Sequence, residues 1–191
     1  MKIITQEARN SDFSKKRADS LLAALREKRQ ISLILEICSL CNLNCNFCEL
    51  HSGKIKDIKS HEGLMEEKLY HKIIKDIVNL GYKLKALHFH GWGEPLIHKN
   101  LPEMINFAHQ QKVSDKLILI TNGVLMNRDI FERLLDSGLD EIRVSLDTVD
   151  REKYIKVKGR DHLQVVLDNI DYAIQRLSAK DKMKFYIKIY K

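Results

Sequence analysis

The chain has 191 residues, of which 44% are hydrophobic, and this length allows one domain whose core needs no disulfide bridges. No apolar run approaches the length that spans a bilayer and no hydrophobic leader follows the first residue, so the sequence predicts neither membrane insertion nor export. The formal net charge is +7, but the lysines are scattered and do not alternate with aromatic residues as in single-strand nucleic-acid platforms. We therefore expect a cytoplasmic protein and do not favour nucleic acid as its partner.

Two regions are predicted along the chain. Residues 1–30 include the basic segment SKKRADSLLAALREKRQ and are expected to form a helical extension. In residues 31–191, apolar runs of strand length alternate with segments of helical period, which is typical of a parallel sheet with crossover helices. The predicted strands are 31–38, 86–91, 116–123, 141–147 and 184–190. The predicted helices are 64–81, 100–111, 128–137 and 162–178.

The predicted strands are apolar on one face and polar on the other. The polar faces of the second and fourth strands carry His88, His90, Arg143, Ser145 and Asp147. A parallel sheet that is covered by helices on both sides should be apolar on both faces. The pattern therefore predicts an α/β barrel or partial barrel with a polar lumen, in which reactive groups gather where the strands end.

All four cysteines lie in CSLCNLNCNFCELH, residues 38–51, directly after the first predicted strand. Two C-x2-C units would suit a zinc site, but only three residues separate them here, against a usual separation of roughly 12 to 20. A bacterial ferredoxin has a different spacing and a following proline. In a third reading, C-x3-C-x2-C, Cys41, Cys45 and Cys48 would supply three thiolates to a 4Fe–4S cluster and leave one iron open for a substrate.

The segment CNLNCNFC resembles the cluster motif of the radical S-adenosylmethionine (radical SAM) enzymes. Three more segments resemble motifs of that family in the same order: GWGEPL after the second strand, TNG at the end of the third, and VSLD in the fourth. The resemblance is closest to the peptide- and cofactor-maturing, SPASM-type branch. It implies a parallel (β/α) partial barrel of the radical SAM type, and because family barrels usually continue to a sixth strand, we expect a fold truncated after its fifth.

The resemblance also implies the residues of the site. Cys41, Cys45 and Cys48 would be the cluster ligands. Glycines in GWGEPL would let the backbone approach S-adenosylmethionine closely, and the glutamate would accept hydrogen bonds from the ammonium of this cofactor. The residues expected to contact the cofactor are Phe47, Gly91, Gly93, Glu94, Asn122, Ser145 and Asp147.

Some positions remain open at this stage. Relatives often have Arg-Gly where this chain has Lys158 and Gly159, and lysine lacks the bidentate fork of arginine, so the partner of the cofactor carboxylate is not defined. Cys38 lies outside the motif and is expected to be a free thiol, either packed or facing the lumen. His88 and His90 are expected on the lumen side, as functional groups or as hydrogen-bonded wall.

The implied reaction is the reductive cleavage of S-adenosylmethionine to methionine and a 5'-deoxyadenosyl radical, which abstracts hydrogen from an unknown substrate. That substrate is expected to be a peptide or a small-molecule cofactor precursor, and a low-potential donor of the flavodoxin or ferredoxin type would supply the electron. Two alternatives stay open. One is a non-catalytic zinc or iron–sulfur electron-transfer module; the other is a radical SAM RNA-modifying enzyme, which would need a further downstream cysteine that this chain lacks.

Overall fold

The computed structural model of the protein describes residues 31–53, 63–178 and 181–189. Its strands are β1 (Ser32–Leu35), β2 (Ala86–Phe89), β3 (Leu117–Thr121), β4 (Glu141–Asp147) and β5 (Lys184–Ile189). Its α-helices are α1 (Glu67–Asn79), α2 (Leu101–Gln110), α3 (Arg128–Asp136), α4 (Arg151–Lys158) and α5 (Leu163–Arg176), and a short 3-10 helix spans Pro95–Ile97. The helical extension predicted for residues 1–30 lies outside the described residues. None of the described helices is both long enough and apolar enough to cross a membrane.

The strands form one parallel sheet in the order β1-β2-β3-β4-β5. This arrangement confirms the predicted α/β class and the position of every predicted strand. The first strand is shorter than the predicted 31–38. Beyond Leu35 the chain no longer pairs with β2, and it pairs instead with residues 64 and 65. There the Met65 amide donates to the Ile37 carbonyl at 2.8 Å, and Cys38 forms an isolated antiparallel bridge with Leu64.

The two faces of the sheet differ as the alternation predicted. One face is buried beneath the helices, and burial of each large apolar side chain there contributes about 1.5–3 kcal/mol to folding. Its buried members include Leu35, Leu87, Phe89, Leu119, Ile142, Val144 and Leu146. On the other face His88, Arg143 and Ser145 are only half-buried. The polar face is therefore left accessible for a site.

The strand β5 lies at the edge of the described sheet, where it pairs with β4. Most of its side chains are exposed, including Tyr186, Ile187 and Ile189. The side of β5 that does not pair with β4 is therefore an exposed edge within the described sheet. An exposed edge strand with several apolar side chains is unusual because it offers backbone groups to any strand that approaches.

The helix α4 was not among the predicted helices, although its end signals are present in the sequence. The Asp150 carboxylate caps the first turn by accepting from the Lys153 amide at 3.1 Å, and Gly159 ends the helix in the left-handed conformation with φ +72°. The interior lacks a clear apolar repeat, because the buried residues of α4 are Tyr154 and Lys158. A buried lysine is rare enough that the pattern does not reveal this helix.

Candidate active site

A cavity of about 1150 Å³ lies where the strands end and is lined by the segments that follow β1, β2, β3 and β4, together with α4. This is the edge at which parallel α/β folds place their chemistry. All ten residues that the sequence predicts for the site line this cavity: Cys41, Cys45, Phe47, Cys48, Gly91, Gly93, Glu94, Asn122, Ser145 and Asp147. The structure thus brings together motifs that are up to about one hundred residues apart in the chain.

The three predicted ligand cysteines are free thiols in partly buried positions. Burial raises the pKa of Cys41 to about 11, against the opposing effect of a hydrogen bond from the Leu43 backbone. Burial also raises the pKa of Cys45, and the nearby Lys158 ammonium opposes this increase. The Cys48 sulfur accepts a hydrogen bond from the His51 amide at 3.4 Å. Metal binding at Cys41 and Cys45 must therefore displace protons.

The cysteine side chains are not arranged for a single metal ion. Within residues 31–53, 63–178 and 181–189, no three Cys, His, Asp or Glu side chains converge on one ion position. Three thiolates bound to one zinc at 2.3 Å would have to lie within about 4.6 Å of each other. A cluster in which each thiolate ligates a different iron does not require this convergence.

The cysteine loop is held by the C-terminal end of α4. The Asn44 amide donates to the Lys158 carbonyl at 3.1 Å, and the Asn46 amide donates to the Val157 carbonyl at 2.9 Å. The Asn46 side chain donates to the next carbonyl toward the N-terminus, that of Lys156, at 3.0 Å. The last carbonyls of a helix have no hydrogen-bond donor within that helix. The cysteine loop supplies donors to these carbonyls of α4, and α4 in turn holds the loop in position.

The glycine-rich loop GWGEP packs tightly on the end of β1 and the cysteine loop. A Cβ atom at Gly93 would overlap the carbonyl oxygens of Cys38 and Leu40, and one at Gly91 would overlap the Glu36 side chain. The Glu36 carboxylate accepts from the backbone amide of the residue between these glycines at 2.6 Å. The protein's own packing therefore requires a glycine at 93, where the neighbours are backbone atoms, whereas at 91 the Glu36 side chain would have to move. The close approach of a cofactor to these glycines remains a prediction.

Glu94 connects the glycine-rich loop to the end of β3. The side chain is buried, and one carboxylate oxygen accepts from the Leu96 amide at 3.0 Å and the Thr121 hydroxyl at 2.6 Å. The other oxygen accepts from the Asn122 amide at 2.7 Å. Burial raises the pKa of Glu94, while these three donors oppose the increase. Because a carboxylate can accept about four hydrogen bonds, one position is left for the predicted ammonium.

Lys158 lies inside the site and is 2% exposed. Its ammonium donates to the Ser145 carbonyl at 2.8 Å and lies 2.7 Å from Asp147 Oδ2. This carboxylate oxygen is buried and, although the ion pair is close, makes no hydrogen bond of acceptable angle with any described residue. The site therefore contains a buried cation beside an acceptor that still has hydrogen-bonding capacity.

Ser145 and Asp147 both line the cavity, but simple strand alternation does not explain their positions. The pairing of β4 with β5 shifts between these two residues, and Asp147 has a left-handed backbone with φ +70°. Aspartate tolerates this conformation better than most residues. The irregularity breaks the period of two on which the predicted common face depended.

His51 in the cavity lining, and Asn42 and Tyr154 outside that lining, were not singled out by the sequence. His51 lines the cavity, and its Nε2 is buried without a hydrogen-bond partner among the described residues. Asn42 accepts from the Asn122 side chain at 2.7 Å. The phenol of Tyr154 is fully buried within α4. The only sequence signal for Tyr154 is its spacing of four residues from Lys158, which places both on one side of a helix.

The residues whose roles were left open divide into two groups. His90 and Lys158 line the cavity, whereas Cys38 and His88 are not among its lining residues. Cys38 is buried, and its thiol donates to the Leu40 carbonyl at 3.4 Å. Cys38 is therefore a packed thiol, which is one of the two arrangements that the sequence predicted.

Comparison with known families is consistent with this geometry. The model of the radical SAM superfamily matches residues 35–183, which is most of the chain. The chain belongs to the radical SAM superfamily. The predicted family is therefore confirmed, and so are its cofactors, a 4Fe–4S cluster and S-adenosylmethionine. Radical SAM proteins are enzymes, and membership of this family supports radical chemistry that depends on S-adenosylmethionine.

Curated radical SAM relatives include two cyclases. A GTP 3',8-cyclase from Chlorobaculum tepidum is 30% identical over 160 residues, which cover 83% of this chain and 46% of the relative. A probable GTP 3',8-cyclase from Methanococcus maripaludis is 33% identical over 151 residues, covering 78% of this chain and 48% of the relative. The chain thus spans about half the length of these relatives.

Solved radical SAM structures share the fold. BtrN in complex with AdoMet and 2-DOIA has a TM-score of 0.63 at 21% identity, covering 84% of this chain and 57% of BtrN. The anSMEcpe protein with bound AdoMet has a TM-score of 0.65 at 21% identity, covering 82% and 43%. Streptococcus suis SuiB bound to the precursor peptide SuiA has a TM-score of 0.63 at 16% identity, covering 100% and 47%. These likenesses confirm the predicted radical SAM fold.

Proposed function

We propose that this protein cleaves S-adenosylmethionine reductively at a 4Fe–4S cluster ligated by Cys41, Cys45 and Cys48. When bound, the cluster and cofactor would supply a 5'-deoxyadenosyl radical that abstracts hydrogen from a substrate. The observation that carries this proposal is that the three thiols line one cavity together with all seven predicted cofactor contacts. A donor of the flavodoxin or ferredoxin type is proposed as the source of the electron.

The polar groups around Lys158 suit the methionine end and the ribose of the cofactor. The ammonium of Lys158 has three donor positions, and contacts with Asp147 and the Ser145 carbonyl leave one for a carboxylate. Asp147 Oδ2 is proposed to accept a hydrogen bond from a ribose hydroxyl, and the Ser145 hydroxyl to donate to or accept from one. Asn122 extends this polar wall from the end of β3.

Phe47 is proposed to pack against the adenine. Its ring lines the cavity and is 62% exposed, so a planar base could cover apolar surface that water now contacts. The ring centroid lies 6.0 Å from the Lys158 ammonium, at the outer limit of a cation–π contact. The ring is thus close to the residue that is proposed to bind the cofactor carboxylate.

We infer that the substrate is an anionic cofactor precursor. Two exposed lysines line the cavity in addition to the buried Lys158: Lys156, and Lys153, whose ammonium also lies 3.4 Å from Asp150 Oδ2. These lysines give the cavity a positive rim. The names of the sequence relatives specify GTP, a triphosphate, which has the charge that such a rim attracts. A peptide is the second candidate; SuiB was solved with a precursor peptide, but at 16% identity this likeness concerns the fold.

The test of the proposed function is the formation of 5'-deoxyadenosine. The 191-residue chain is reconstituted with iron and sulfide without oxygen, reduced with dithionite in the presence of S-adenosylmethionine, and analysed by chromatography. Cys41→Ala, Cys45→Ala and Cys48→Ala should each abolish the product. Cys38→Ala is the matched control and should retain it, because Cys38 lies outside the cavity lining.

Two results would contradict the proposed function. One is a reduced cluster whose EPR spectrum does not change when S-adenosylmethionine is added, since an open iron should bind this cofactor. The other is a reduced, loaded protein that forms no 5'-deoxyadenosine. For the substrate, GTP and an unrelated neutral peptide are added in parallel, and faster 5'-deoxyadenosine formation with GTP alone would support the anionic precursor.

A further inference from the structure

Trp92 is a large aromatic side chain of the cavity that the proposed reaction does not use. It lies between the two glycines of GWGEP, lines the cavity and is 51% exposed. No ring or cation among the described residues packs on its indole. An exposed indole leaves a large apolar face in contact with water, and such a face binds planar rings by stacking.

The backbone around Trp92 is held by hydrogen bonds that do not involve the indole. The Trp92 amide donates to Glu36 Oε1 at 2.6 Å, and the Gly93 amide donates to the same oxygen at 3.3 Å. The next amide, that of Glu94, donates to the Leu40 carbonyl at 2.8 Å. The loop therefore does not have to become ordered when a ligand binds to the indole, which favours binding.

Trp92 is one of two exposed aromatic side chains in the cavity. The other is Phe47, whose ring lies 6.0 Å from the Lys158 ammonium, and this ammonium contacts the end of β4. Trp92 instead follows β2. Because β3 lies between β2 and β4, and neighbouring strands are about 4.8 Å apart, the ends of β2 and β4 are about 10 Å apart. S-adenosylmethionine has one planar ring, so the proposed adenine contact of Phe47 leaves Trp92 for another ligand.

The charge of the cavity favours an anion as that ligand. Lys156 lies on α4, is exposed and lines the same cavity as Trp92. Its ammonium has no ion-pair partner within the part of the chain that the structure describes, whereas Lys153 lies near Asp150. An unpaired cation and an exposed planar face in one cavity suit a ligand that joins a ring to an anionic group.

We propose that Trp92 binds the substrate by stacking on a heteroaromatic ring, and that an anionic group joined to this ring is attracted by Lys156. This inference rests on the anionic precursor and the adenine contact of Phe47 assigned in the proposed function. It adds the residue that recognises the ring. Because stacking on an aromatic side chain tolerates different bases, nucleotides with different bases should bind, whereas a ring or an anion alone should bind less tightly.

The test measures binding to the 191-residue chain that carries its reconstituted cluster and is kept oxidised. The sequence has one tryptophan, so tryptophan fluorescence reports on Trp92 directly. GTP and ATP serve as probes that contain both a ring and phosphate, while guanosine and tripolyphosphate contain one of these features each. GTP and ATP should change the fluorescence of Trp92, and both should bind more tightly than guanosine and tripolyphosphate.

Affinities of three variants for GTP are then measured by isothermal titration calorimetry. Trp92→Ala should bind GTP about tenfold more weakly or worse, as expected for the loss of one stacked base, and Trp92→Phe should recover part of this affinity. Leu69→Ala is the matched control, because Leu69 is 50% exposed on α1 and lies outside the cavity lining. Its affinity for GTP should equal that of the wild-type chain.

The contribution of Lys156 is tested in the same way. Lys156→Ala should bind GTP more weakly than the wild-type chain, and the affinity of this variant should depend less on salt concentration, because one attraction to phosphate is lost. An unchanged affinity and an unchanged salt dependence would overturn the assignment of Lys156.

Three results would overturn the inference about Trp92. The first is that neither GTP nor ATP changes its fluorescence. The second is that Trp92→Ala binds GTP as tightly as the wild-type chain does. The third is that Trp92→Ala loses as much affinity for S-adenosylmethionine as for GTP, since the indole would then contact the adenine of the cofactor.

These measurements require neither reduction of the cluster nor cleavage of S-adenosylmethionine. A chain that binds GTP through Trp92 but forms no 5'-deoxyadenosine would contradict the proposed function and support the ring contact. Normal 5'-deoxyadenosine formation together with equal GTP affinity in Trp92→Ala would overturn only the present inference. A chain that takes up no cluster would contradict the proposed function, and fluorescence titration of the cluster-free chain would still decide the role of Trp92.

Discussion

At the scale of single residues, Lys158 and Arg160 differ in their surroundings, and this difference bears on a question that the sequence left open. Relatives of the family often place an arginine before the glycine, and this chain has a basic residue on each side of Gly159. Lys158 is buried in the cavity, whereas Arg160 is exposed and donates to the Asn44 side chain at 3.2 Å. We therefore propose Lys158 as the partner of a cofactor carboxylate, whereas Arg160 contacts the cysteine loop through Asn44.

The ion pair of Lys158 with Asp147 leads to a prediction for stability. Lys158→Met should lower the free energy of unfolding of the cluster-free chain by about 3–5 kcal/mol, because it leaves the buried Asp147 charge unpaired. The double variant Lys158→Met/Asp147→Asn should be less destabilised than the sum of the single variants, since neither charge then remains buried alone. Urea unfolding of all four proteins measures this coupling. Strict additivity would show that the two groups do not interact.

At the scale of elements, α4 is the part of the fold that positions the cluster loop. Its last carbonyls bind the loop amides, and the ammonium of its buried Lys158 lies 2.7 Å from Asp147 Oδ2. A helix of eight residues would not be stable alone, so α4 and the loop depend on each other. Changes at their contact should therefore affect cluster uptake as well as folding.

Gly159 tests this dependence, with Gly81 as the matched control. Both residues have a left-handed backbone, with φ +72° and +73°, but a Cβ at Gly159 would lie 2.5 Å from the Asn44 carbonyl oxygen, whereas one at Gly81 would have no atom within 4 Å. Gly81→Ala should cost roughly 1–2 kcal/mol from the left-handed backbone alone. Gly159→Ala should cost more and should also reduce the iron bound on reconstitution. Equal effects in unfolding and in iron content would show that the contact with Asn44 is unimportant.

At the scale of the whole molecule, the open polar face of the sheet makes stability depend on pH. Burial lowers the pKa of His88 and of His90, and the positive charge of Arg143 lowers both further, while Glu141 and Glu36 oppose the decrease. In the unfolded chain these histidines take up protons near pH 6.5, whereas in the folded chain they do so at a lower pH. Between these two values the unfolded state binds more protons, so stability must fall as the pH decreases.

The corresponding prediction compares the wild-type chain with the double variant His88→Gln/His90→Gln. Urea midpoints measured from pH 5 to pH 8 should differ by a constant amount above about pH 7.5. Below about pH 6.5 the wild-type midpoint should decrease relative to that of the double variant. Only the wild-type chain has the two histidines that take up protons more readily in the unfolded state than in the folded state. Parallel curves over the whole range would show that the two histidines do not couple folding to protons.

The sequence alone determined the family and the fold class, and it picked out ten residues that line one cavity, because each of these depends on local chemistry. Three cysteines at fixed spacing, a Gly-x-Gly-Glu-Pro segment and a polar fourth strand are visible in the sequence, and parallel strands bring their ends together whatever lies between them. The periodicity of hydrophobic residues predicted the positions of the strands and of four helices. The observed ends differ from the predicted ones at places such as β1, which ends at Leu35 and not at residue 38.

Only the tertiary structure decided what holds these residues in place. The periodicity of hydrophobic residues does not predict the helix α4, because its buried residues are a tyrosine and a lysine. The hydrogen bonds of Glu94 to the end of β3, the irregular pairing that places Asp147, and the unpaired hydroxyl of Tyr154 all depend on residues distant in the chain. Local patterns record which residues the chain contains, whereas burial and long-range contacts determine which of their atoms have partners and which are left for chemistry.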